Sequence, residues 1–162
     1  MSAARDPATS SFKMNHTMLR IKDPKPSLDF YQRILGMKLI SEHNGGDFTL
    51  YFLAFDHSNG KMTKEELEAS RFDREGIVEL TWNHGTEKDE NFKGYHNGND
   101  EPQGFGHICI TCSDIKSTCE RFESLGVDFK KKPHEGRMKT IAFIYDPDRY
   151  WIEVVENKYQ IE

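Results

Sequence analysis

The chain has 162 residues, a formal net charge of −5 and 36% hydrophobic content with eleven Phe and six Tyr, which is bulk enough for one domain or two small modules sharing a core. The acidic balance argues against nucleic acid as a partner, because that needs clustered Lys and Arg, and no apolar run is long enough to span a membrane. Three cysteines, an odd number in a chain that opens on small polar residues, point to a reducing, cytoplasmic compartment.

Residues 1–12 read as a disordered lead and 13–162 as a single domain. A first strand over 13–22 places Leu19 and Ile21 on one face and His16, Met18 and Arg20 on the other. Asp23-Pro24-Lys25-Pro26 is a turn, with Asp23 offering an oxygen to the exposed amides of the coming helix. That helix, expected over 27–35, carries the apolar stripe Leu28, Tyr31, Ile34 and Leu35 and is stopped by Gly36. A strand over 37–43, a hairpin turn at Asn44-Gly45-Gly46-Asp47 and a strand over 48–55 follow. Residues 56–76 are polar and read as an insertion, in which Thr63 and Glu66 form a capping box opening a short helix. A strand over 77–83 then completes a βαβββ module spanning about 13–83. Ile77, Glu79, Thr81 and Asn83 share one face of it, and Val78, Leu80 and Trp82 the other. The connection 84–103 is rich in Asn, Gly, Asp and Glu.

The second module, about 104–157, repeats the plan: strand 105–112, helix 114–125, strand 127–131, a loop through Pro133-His134-Glu135-Gly136, strand 139–145 and strand 150–155. His16 and His107 each stand near the head of a first strand, and both following helices end in Leu-Gly. Glu79 and Glu153 each stand alone among apolar residues on a last strand. That matched placement is the strongest functional signal in the chain. The reading it supports is a wet cleft of polar side chains with an apolar back packed on helices. Cys109 and Cys112 form a CxxC, but three residues apart on a strand they take opposite faces, and no second CxxC exists; they read as buried thiols. Lys130, Lys131 and Lys132 read as a solvated strand end. Two imidazoles and two carboxylates without a thiolate can hold Zn²⁺, Ni²⁺, Co²⁺ or Mn²⁺, and an octahedral ion would keep two positions open for a chelating substrate.

Asn15-His16-Thr17-Met18-Leu19-Arg20-Ile21-Lys22-Asp23-Pro24 resembles the opening of glyoxalase I, the lactoylglutathione lyase family. Ser27-Leu28-Asp29-Phe30-Tyr31, Glu79-Leu80-Thr81, Tyr95-His96-Asn97-Gly98-Asn99, Gly104-Phe105-Gly106-His107-Ile108, Asp146-Pro147-Asp148 and Tyr150-Trp151-Ile152-Glu153 carry the likeness on, collinear from about 14 to 156. The resemblance implies an α+β protein of the vicinal-oxygen-chelate fold, in which paired βαβββ modules curl into half-barrel mixed sheets. It implies metal ligands at His16, Glu79, His107 and Glu153, and a homodimer whose sites are shared between chains. The implied reaction isomerises the hemithioacetal of methylglyoxal and its co-substrate glutathione to S-lactoylglutathione through an enediolate. Glu153 is the main base there, and Glu79 its counterpart on the other substrate face.

By position, Arg20 and Asn83 would hold the γ-glutamyl end. Lys131, Gly136, Arg137 and Met138 belong to the loop covering the tripeptide. Gln103 stands where relatives often place an arginine, and Arg149 replaces the glycine usual after Asp-Pro-Asp. His16 is the bacterial mark, associated with nickel, whereas an insertion like 56–76 accompanies zinc; zinc is the first expectation, with nickel or cobalt open. The alternatives are a ring-cleaving dioxygenase, which needs iron held by two His and one carboxylate, and a non-catalytic binding protein of the same fold, which commonly lacks the four ligands.

Overall fold

A computed structural model describes residues 4–158. Residues 1–3 of the expected lead and 159–162 of the polar tail lie outside the described residues; within the lead, Pro7–Thr9 form one exposed 3₁₀ turn capped by Asp6.

The first module runs β1 (His16–Ile21), α1 (Pro24–Asp29), β2 (Lys38–Asn44), β3 (Phe48–Ala54), α2 (Lys64–Ala69) and β4 (Ile77–Asn83). The second runs β5 (His107–Cys112), α3 (Ile115–Ser124), β6 (Phe129–Lys131), β7 (Ile141–Tyr145) and β8 (Trp151–Glu156). Each builds a mixed four-stranded sheet of the same order, β1-β4-β3-β2 and β5-β8-β7-β6. The first and last strands pair in parallel and the others antiparallel. In both sheets, therefore, the histidine-bearing strand is an edge strand.

The first helix starts at Pro24 rather than at Ser27: the Asp23 side chain accepts from the Lys25 amide, and proline at the first helical position has no N–H to leave unsatisfied. It continues as a π-helical turn over Phe30–Ile34 before Gly36, at φ 79°, ends it. The capping box at Thr63 and Glu66 is present with both reciprocal bonds.

One core joins the two modules. Leu19, Ile21, Tyr31, Ile34, Leu53 and Leu80 pack in a single cluster with Phe122, Ile144, Ile152 and Val154. Polar contacts cross the same seam: the Lys22 amide and Ser27 hydroxyl donate to Asp148, and the Tyr31 hydroxyl donates to Asp146 Oδ2 at 3.0 Å. Its polar residues predict that the opposite face of the first sheet is a wet cleft, but it is not uniformly so. Ile40, Phe52, Ala54 and Ile77 form a second apolar cluster there, which Leu67 of α2 closes, so the insertion folds back over one end of that face.

Candidate metal centre and its surroundings

Parallel pairing fixes the first half-site. His16 lies opposite Ile77 and Met18 opposite Glu79, so His16 and Glu79 project from one face two residues out of step. His16 Nε2 stands 3.1 Å from Glu79 Oε2. The second half-site repeats this register: His107 opposite Trp151, Cys109 opposite Glu153, and His107 Nε2 3.2 Å from Glu153 Oε2. An aromatic ring backs each histidine edge-on, Phe52 at 5.9 Å and Phe143 at 5.3 Å between centroids.

The hydrogen bonds around His16 select the tautomer of its neutral ring. Asn15 Nδ2 donates to the carbonyls of Arg71 and Arg74, which turns Asn15 Oδ1 toward His16 Nδ1 at 2.7 Å. Nδ1 therefore carries the proton in the neutral ring, and the Nε2 lone pair faces a carboxylate oxygen. Two acceptors aimed at one another suit a cation between them, so this donor set fits a divalent ion. Asn15 is a contact the motif reading did not assign a role; its only signal in sequence is its place beside His16.

The four ligands expected from the resemblance do not converge within one chain. Among the described residues no three His, Cys, Asp or Glu side chains gather into a metal-holding group. The chain carries two separate pairs.

The residues expected to hold substrate divide the same way. Arg20 is exposed on β1 opposite Thr81, and Asn83 lies two residues beyond Thr81 with its amide donating to the Tyr95 hydroxyl at 2.9 Å. Both extend the His16 and Glu79 face toward the far end of β1 and β4. Lys131, Gly136, Arg137 and Met138 belong to the second sheet and its β6–β7 loop, and Gln103 is exposed in the connection ahead of β5. Lys131 is not a free cation at a solvated strand end: its ammonium donates to the carbonyls of Ile141 at 2.8 Å and of Met138, and burial lowers its pKa. It holds the loop in which Gly136, at φ 66°, makes the turn. Cys112 is half-buried and Cys119 buried, but Cys109 is exposed, because the face it shares with His107 is the open one. The burial of its sulfur that does occur, together with the neighbouring Glu153 carboxylate, pushes its thiol up to about 11.

The fold and this paired geometry define a class, and sequence comparison places the chain in it. Residues 13–154 match the Glyoxalase/Bleomycin resistance protein/Dioxygenase superfamily, and the chain belongs to that family. It is 48% identical over 159 residues to the lactoylglutathione lyase of Pseudomonas putida, covering 96% of this chain and 91% of that protein. It is 51% identical over 152 residues to the lactoylglutathione lyase of Schizosaccharomyces pombe, covering 92% of this chain but only 46% of that longer relative. Among solved structures, the trypanothione-dependent glyoxalase I of Leishmania major superposes with a TM-score of 0.67 at 30% identity, covering 91% of this chain and 88% of that one. Glyoxalase I from Zea mays superposes with a TM-score of 0.66 at 26% identity, covering 91% of this chain and 46% of that one.

Proposed function

We propose that the chain is a lactoylglutathione lyase acting on the hemithioacetal of glutathione and methylglyoxal, and that it works as a homodimer. The observation that carries this reading is the pair of matched half-sites, each with its histidine on an edge strand. Each offers one nitrogen and one oxygen, too few to enclose a divalent ion, and each lies beside an unpaired strand edge. A second copy set with its β5 against β1 would bring His107 and Glu153 to His16 and Glu79, and its symmetry would complete a second site in the same step. Similarity of about half the residues to lactoylglutathione lyases over nearly the full chain supports the same conclusion.

These four side chains would hold the metal, zinc in our reading, with nickel or cobalt the other occupants the donor set accepts. When bound it supplies Lewis-acid stabilisation of negative charge on the two substrate oxygens. Glu153 takes the proton from the carbon bearing sulfur and hydroxyl, keeps it on a carboxylate oxygen and returns it to the neighbouring carbon. The hydroxyl proton passes to the oxygen of that second carbon, so the product, S-lactoylglutathione, is an isomer of the substrate. Glu79 does the same from the opposite face. Phe52 and Phe143 stand beside Glu79 and Glu153 on the neighbouring strands and give each carboxylate an apolar flank. Arg20 and Asn83 supply donors to the γ-glutamyl end, Gln103 a neutral donor, and Lys131 sets the loop carrying Gly136, Arg137 and Met138 over the tripeptide. Three thiols not paired with one another fit a cytoplasmic setting.

Protein purified without added ions, analysed for metal and assayed for S-lactoylglutathione formation by absorbance, tests the reading. Chelation abolishes activity and a divalent ion restores it; a metal-free protein with full activity overturns the mechanism. Mixing inactive His16→Ala/Glu79→Gln chains with inactive His107→Ala/Glu153→Gln chains regenerates activity, because half of each dead dimer completes one intact site. Failure of the mixture, with subunit exchange demonstrated, overturns the shared site.

A further inference from the structure

Strand pairing arranges the site face of the first sheet in rows. Ser41, Phe52, Glu79 and Met18 stand side by side on β2, β3, β4 and β1, and the next row is His43, Leu50, Thr81 and Arg20. Arg20 and Asn83, the donors for the tripeptide, thus lie on one side of the Glu79 row. The insertion reaches that row from the other side. Arg71, whose carbonyl is held by Asn15, sends its guanidinium over Phe52, with Cζ 4.7 Å from that ring and 4.4 Å from the ring of Phe72.

This cation has spare capacity. Nη1 donates to Ser41 Oγ at 2.8 Å; among the described residues Nε is buried without a partner and none of the ion pairs includes Arg71. The second sheet supplies a control. The place equivalent to Ser41 there, Lys131 beside Phe143 beside Glu153, is itself a cation, but that ammonium is spent on the carbonyls of Met138 and Ile141. A half-buried guanidinium without a carboxylate is unfavourable unless something anionic completes it.

The geometry points to Arg71 as a specificity residue that receives a carboxylate at the end of the acyl side chain of the 2-oxoaldehyde-derived substrate. The inference rests on the lyase reading, which puts the reacting carbons at Glu79. From there the guanidinium is one to two strand spacings away, roughly 5–10 Å. A methyl group cannot bridge that gap, whereas an aryl ring or a chain of three or four carbons does, and the exposed Phe72 ring offers its body an apolar wall. A carboxylate could equally come from glutathione itself; the direction of approach, opposite to Arg20 and Asn83, favours the acyl side.

Unreactive thioethers test this by calorimetry on the metal-loaded protein. The wild type binds S-(4-carboxybenzyl)glutathione about tenfold more tightly than S-benzylglutathione, the size of one charge-assisted hydrogen-bonded contact. Arg71→Met erases the preference and Arg71→Lys, which keeps charge but not the planar fork, retains part of it. Equal or weaker binding of the carboxylated probe by the wild type overturns the inference whatever the variants do, and so does a preference that survives in Arg71→Met. Amidating the glycyl carboxylate of S-benzylglutathione weakens binding equally in wild type and Arg71→Met; a loss that depends on Arg71 would move its contact to the tripeptide and overturn the assignment. If neither thioether binds any variant, the glutathione reading falls and the inference with it.

Discussion

In the first module His16 meets Glu79 at 3.1 Å beside Phe52; in the second, His107 meets Glu153 at 3.2 Å beside Phe143. Around these matching pairs the neighbours differ. Opposite Glu79 stands Met18, and opposite Glu153 stands Cys109. Asn15 orients His16, whereas Gly106 precedes His107 and has no side chain to do so. A folded insertion lies over one end of the first face, while the second has the short β6–β7 loop held by Lys131. The duplicated part is what a hydrogen-bonded ladder fixes: once two strands pair in register, distances between their side chains follow. What differs is carried by loops and by the residue types at ladder positions, which can change without moving the ladder. The spacing of His to Glu is thus common to both modules, and the surroundings of each pair are local to it.

The difference between the glutamates gives the largest expected effect. Glu153→Gln lowers kcat by about 10³-fold with methylglyoxal and glutathione, and Glu79→Gln by about tenfold, as the proposed roles of main base and counterpart require. Equal losses in steady-state rates would show that the two carboxylates share the proton work evenly.

A second contrast is energetic. Ile144→Ala, in the core common to both modules, costs about 2–5 kcal/mol in urea unfolding. Leu67→Ala removes the lid of the smaller cluster and costs about 2 kcal/mol, because α2 is free to settle into the space it leaves. A global loss from Leu67→Ala as large as that from Ile144→Ala would make the insertion part of the common folding unit.

The seam between the modules carries a pH dependence of its own. Burial, and next the Asp148 carboxylate, push the Asp146 carboxyl up to about 7. The folded chain then holds a proton that the unfolded chain releases, so this group's contribution to stability falls as pH rises from about 4 to about 7 and is level above. Asp146→Asn removes that slope, by a few kcal/mol across the window, in unfolding midpoints measured at pH 5 and pH 8. An unchanged slope would show that other groups set it.

The smallest effect separates the histidines. Asn15→Ala weakens metal binding about tenfold by chelator competition, through loss of the bond that fixes the His16 ring, and leaves the fold's melting temperature within a few degrees. No loss would mean that Glu79 and Phe52 alone orient the imidazole.

The alternation of His16, Met18 and Arg20 against Leu19 and Ile21, and its copy at His107, was readable because strand periodicity and an internal repeat are local properties of the chain. So were the helix caps at Asp23 and Thr63 and the order of both modules. Cys109 is exposed although an unpaired thiol is usually buried, because the strand face it shares with His107 is the open one. That Lys131 turns inward to carbonyls, and that Arg71 crosses from the insertion to Phe52, depends on atoms 10 to 30 residues distant in sequence. No local pattern encodes such contacts.

The amino-acid order by itself determined two βαβββ repeats, each with one imidazole and one carboxylate, because side-chain alternation and repetition need no knowledge of what packs where. Only the tertiary structure decided that these four groups stand as two pairs, each with its histidine on an open edge strand, and that a guanidinium from the insertion reaches Ser41 in the row of Glu79. Strand partners and loop returns are chosen by the packing of surfaces far apart along the chain, and that choice is settled only when the whole core closes.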